Sequence, residues 1–115
     1  MKENWKTKLS RELNLVEENQ DWGICNADSK RIDEFIRFYR LNEKIDDWEN
    51  EELAELILQS FEELAEGESL TQSDITKLQD FIVKHSDEFP NTLNYWRSLK
   101  GDHWNLKEVK NETYS

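Results

Sequence analysis

Apolar side chains recur every three to four positions along most of the chain, which is the spacing of amphipathic helices. Trp5, Leu9, Leu13 and Val16 predict a first helix over about 3–18. Ile32, Phe35, Ile36 and Tyr39 follow the i, i+3, i+4, i+7 rule and predict a helix over about 29–41, with Asp28 as its N-cap. A third helix, about 47–66, carries Leu53, Ile57, Ser60 and Leu64 on one side, with Leu56 and Phe61 flanking them. Thr71 and Asp74 have the spacing of a capping box, and Leu70 with Ile75 that of a hydrophobic staple, so a fourth helix starts near 71 and runs to about 85. Pro90 suits the first turn of a shorter helix over about 90–99 that carries Leu93, Tyr95, Trp96 and Leu99. Glycine at 23, 67 and 101 and proline at 90 fall where the periodicity breaks. The stretch 102–115 alternates weakly and reads as a short strand or an ordered tail. The expected class is all-α, a compact bundle of four to five helices in a single domain over 1–115.

Charge changes this picture in one place. The net charge is −11. Residues 43–68 hold eleven acids and one base, Lys44, whereas the rest of the chain holds fifteen acids and fourteen bases. Almost all of the excess lies in one quarter of the chain, which makes it a patch rather than a general aid to solubility. On a wheel of about 100° per residue, Glu51, Glu55, Glu62 and Glu66 form one stripe opposite the Leu53/Ile57 side. Like charges at i, i+4 in that stripe repel by roughly 0.2–0.5 kcal/mol per pair. Acids in the last turn oppose the helix dipole by roughly 0.3–1 kcal/mol each. Helix formation therefore explains Asp46, Asp47 and Glu49 at the N-terminal end but not Glu62, Glu63 and Glu66 at the other. Leu58 falls in the middle of the stripe, where it reads as an apolar anchor ringed by charge. Trp48, beside Asp46, Asp47 and Glu49, is placed either in the core or to stack on an incoming Arg.

A surface of this sign repels DNA, RNA and anionic lipid, so the expected partner is a basic protein and not nucleic acid or a membrane. No 18-residue apolar run occurs, and the basic N-terminus lacks the apolar segment of a signal peptide, which points to a cytoplasmic protein, expected as a monomer. Cys25 stands alone and reads as a small, half-buried apolar residue, with no disulfide and no cysteine metal site to build. Trp5 and Trp96 are expected in the core, and Trp22 and Trp104 in loops. His85 continues the core-facing register of its helix. No phosphate loop, dinucleotide fingerprint, nucleophile elbow or zinc-protease motif is present, so neither an enzyme nor a cofactor is expected.

Two fragments, "ICNADS" (24–29) leading into the acidic helix and "NTLNYWRSLKG" (91–101), resemble the colicin-type nuclease immunity proteins. Those are small acidic helical proteins that neutralise a basic toxin. Their Tyr-Tyr-Pro contact element is not reproduced; the nearest phrase is "SDEFP" (86–90), with Glu88 and Phe89 where the two tyrosines would stand. The resemblance implies an immunity protein with Asp87 and Phe89 as contacts. It adds these to the partner-binding residues expected from the charge pattern: Asp47, Trp48, Glu51, Glu55, Leu58, Glu62 and Glu66. The rival expectations are a nucleic-acid mimic, whose carboxylates copy phosphate spacing, and a general interaction domain.

Overall fold

The computed structural model describes residues 5–17, 21–42, 48–67 and 71–100, side chains of 97–100 aside. Among these, helices α1 (Trp5–Leu13), α2 (Trp22–Asn26), α3 (Ile32–Leu41), α4 (Glu49–Gly67), α5 (Gln72–His85) and α6 (Pro90–Lys100) follow one another, with no strand. Ser29–Arg31 and Ser86–Glu88 form single 3-10 turns ahead of α3 and α6. The all-α class expected from the periodicity is the one observed. Residues 102–115, Asp47 and Leu70 lie outside the described residues.

Two departures from the predicted elements have local causes. The first helix stops at Leu13, not near 18. Asn14 takes a left-handed φ of 57°, and the backbone N–H of Leu15 donates to the carbonyl of Ser10 at 2.8 Å. That is a Schellman stop, which asparagine tolerates almost as glycine does. The apolar pattern continues through Leu15 and Val16, but the helix does not. The chain then turns into α2, where Trp22 is only 2 % exposed rather than sitting in a loop. Its indole donates to Ser10 Oγ at 2.9 Å. Asn26 fastens the connection by bonding the N–H and the carbonyl of Val16, each at 3.0 Å. Cys25, on the same short helix, is exposed rather than half-buried.

The predicted capping box holds at α5, whereas Asp28 caps the Ser29–Arg31 turn and α3 itself, preceded by Arg31, has no side-chain cap. Asp28 accepts from the Lys30 N–H at 2.9 Å. Thr71 and Asp74 exchange both bonds of a capping box, at 3.0 and 3.1 Å. Between α3 and α5, Lys77 pairs with Asp33 at 2.7 Å and Arg40 with Asp80 at 2.9 Å. Beneath these pairs Tyr39, Phe81, His85 and Phe89 meet ring to ring.

Helix α4 is the axis of the fold. Helices α2, α3 and α6 and the Ser29–Arg31 turn all pack on it. Leu53, Ala54, Leu56, Ile57, Leu58, Ser60 and Phe61 have no exposed surface. A helix buried round most of its circumference is a core helix, not a surface one with a single apolar stripe. At Gly23 α2 comes so close to α4 that an added Cβ would stand 2.8 Å from Glu55 Cγ and 3.1 Å from the Leu56 nitrogen.

Candidate binding groove

The burial of α4 corrects the acidic stripe. Leu58, expected as an exposed anchor, is fully buried, and Glu51 and Glu62 are 7 % and 5 % exposed. The wheel placed them opposite one apolar side, but α4 has neighbours on several sides, so that face is covered too. Phe89, expected as a surface contact, is also fully buried and stacks on Phe81 at 5.4 Å. Glu66 and Asp87 are exposed.

Four acids of α4 meet donors of a neighbouring element. Glu51 accepts from the backbone N–H groups of Thr92 at 2.8 Å and Asn91 at 3.2 Å, at the first turn of α6. An anion there is favourable, because the unpaired N–H groups and the helix dipole both point at it. Glu55 accepts from the Trp96 indole at 2.6 Å and from Gln59 at 3.2 Å. Glu49, fully buried, pairs with Lys8 at 3.5 Å and accepts from Asn42. Glu63 accepts from the Ser29 N–H at 3.1 Å. Much of the charge that reads as a docking stripe thus joins helices to one another.

What remains open is a groove of about 360 Å³ where α1, α2, α4 and α6 converge. Its apolar lining includes Ile24, Trp48 and Tyr95, which are 49 %, 59 % and 54 % exposed. Among the described residues, six large apolar side chains are exposed, and these three line one groove. Trp5 also lines the groove and packs edge-on against Trp22, with ring centres 5.4 Å apart.

The acidic lining is Asp21, Glu51, Glu52 and Glu55. Asp21 precedes α2 with a left-handed φ of 53°, and its side chain makes no capping bond to that helix. Glu52 is half-buried. Desolvation pushes its carboxyl above the usual carboxylate range, and repulsion from Glu55 and Glu51 adds to this, while the Lys6 ammonium opposes it. Lys6 itself lies over the Trp5 ring, 5.5 Å from its centre.

Of the residues expected to bind a partner, the groove gathers Trp48, Glu51 and Glu55. The sequence reading missed Asp21, Ile24, Glu52 and Tyr95. Gly23 was the one available signal, since a glycine beside a tryptophan at an element boundary marks a close backbone approach. Among the described residues no set of His, Cys, Asp and Glu is arranged to hold a metal ion, and no helix is long and apolar enough to cross a membrane. Comparison of the chain with protein-family models, curated proteins and solved structures returns no match.

Proposed function

We propose that this protein binds a basic polypeptide through the groove between α1, α2, α4 and α6, and that it acts as an immunity protein that neutralises a basic toxin by occlusion. The observation that carries the reading is the meeting of exposed Trp48, Tyr95 and Ile24 with the carboxylates of Glu52 and Asp21 in one concave site. Exposed aromatic rings beside carboxylates match the two needs of a cationic side chain, a face to stack on and a counter-charge. The net charge of −11 speeds the approach of a basic partner at low salt. A nucleic-acid mimic needs a row of exposed carboxylates, and the burial of Glu51 and Glu62 breaks that row on α4. The groove therefore favours a protein partner.

Titration with a nona-arginine peptide at low ionic strength, followed by tryptophan fluorescence, tests the binding step. Saturable binding that weakens with salt and drops about tenfold in Trp48→Ala supports it, tenfold falling within the range of about 0.5–2 kcal/mol for one cation–π contact. Absence of binding, or equal binding by the variant, removes it. The neutralisation step is tested in cells. A basic protein that the wild type captures and Trp48→Ala does not must arrest growth when expressed alone and cease to do so when co-expressed with this chain.

A further inference from the structure

The groove already holds a cation of its own. Lys6, on the first turn of α1, carries its ammonium over the indole of Trp5. It is also the positive group that partly offsets the repulsion around Glu52. An aromatic face and a half-buried carboxylate are what a basic partner's side chain would use; Lys6 lies over the first and acts electrostatically on the second. The offset is incomplete: burial first, and then the neighbouring carboxylates, still disfavour the ionised form of Glu52. Trp48 and Tyr95, on the same groove, are exposed over about half of their surface.

Building on the proposed binding of a basic polypeptide, we infer that Lys6 is an internal placeholder, and that a partner's arginine displaces it to stack on the groove's aromatic rings against Glu52 and Asp21. Arginine suits the site better than lysine. Its guanidinium is planar, weakly hydrated and able to donate to a carboxylate through two parallel N–H bonds while its face lies on a ring. An ammonium is a strongly hydrated point charge and gives up more water on entering a half-buried site. Lys6 therefore sets the selectivity of the groove: it screens the carboxylates from weak cations and yields to a ligand that gains stacking as well as charge.

The test compares nona-arginine with nona-lysine on the wild type, Lys6→Met, Lys6→Gln and, as a control for net charge, Lys84→Met on α5, which does not line the groove. The expected result is that both Lys6 variants bind nona-arginine about three- to fivefold more tightly than the wild type, the worth of one released cation–π contact. Lys84→Met should stay close to the wild type, and nona-arginine should outbind nona-lysine throughout. The indole N–H resonance of Trp5 should move on binding in the wild type, toward its position in free Lys6→Met. If the wild type binds but the Lys6 variants bind no better than Lys84→Met, or the Trp5 resonance does not move, the placeholder role is wrong while the binding site stands. If neither wild type nor Lys6 variants bind either peptide, the reading of the groove as a basic-partner site falls with it.

Discussion

Glu51 and Thr92 are joined twice: the Thr92 N–H donates to the Glu51 carboxylate at 2.8 Å, and the Thr92 hydroxyl donates to the Glu51 backbone carbonyl at 3.0 Å. The pair seats the first turn of α6 on the N-terminal half of α4 and closes one wall of the groove. The carboxylate does for α6 what a side-chain N-cap does from within a chain, but from another helix.

Glu51→Ala should therefore cost about 1.5–3 kcal/mol, the range for buried hydrogen bonds to a charged group. Urea denaturation measures this as a lowered midpoint with an unchanged slope. A midpoint equal to that of the wild type would show that the Glu51 carboxylate does not hold α6 in place.

Gly23→Ala tests the close approach of α2 to α4. The new methyl would stand 2.8 Å from Glu55 Cγ and against backbone atoms of Glu55 and Leu56, which cannot swing away. Forcing α2 outward should cost about 1–3 kcal/mol. It should also disturb Asp21 and Ile24 on the groove, so loss of nona-arginine binding should accompany the loss of stability. Wild-type stability in Gly23→Ala would mean that the contact relaxes at no cost.

The helices themselves were legible because their signals are local. Thr71 and Asp74 lie three residues apart, and Pro90 sits on its own first turn. The placement of α4 was not, because a wheel shows which residues share a side and not how many sides have neighbours. Leu58 between Glu51, Glu55 and Glu62 looks like an anchor on a lone helix, and only the packing of several neighbours round α4 makes it core. The five-residue α2 is too short to show a period of its own. Asp21 and Tyr95, seventy-four positions apart in the chain, share a groove only because both flanking helices pack on α4. Trp48 read from the sequence as either core or surface ring, and the structure leaves it exposed on the groove.

Leu58→Ala and Glu66→Lys separate core from surface within the stripe that the sequence groups together. Leu58 has no exposed area, so truncation should cost about 2–5 kcal/mol. Glu66 is exposed in the last turn of α4, a turn with no basic residue. Lysine there complements the helix dipole and should stabilise by about 0.3–1 kcal/mol. Thermal melts of the two variants should move in opposite directions. A mild effect at Leu58 would restore it to the surface.

Glu52 connects stability with binding through pH. Burial first, and then the charges of Glu55 and Glu51, raise its carboxyl above the ordinary value, and Lys6 reverses this only in part. The folded state thus holds the proton more tightly than the unfolded chain does. The associated stabilisation is fully present below the unfolded carboxylate value, about 4.3, and is lost as pH rises through the higher folded value. Glu52→Gln has no proton to lose, so it should match the wild type near pH 4 and exceed it in stability at pH 7. The same variant should bind nona-arginine more weakly at pH 7, because the charge that strains the fold is the one that meets the ligand. Urea denaturation at the two pH values together with the peptide titration checks both halves. A stability gap that does not widen between pH 4 and pH 7 would show that Glu52 is not destabilised by its surroundings. A gap that widens without weaker binding would place the cation's counter-charge on Asp21.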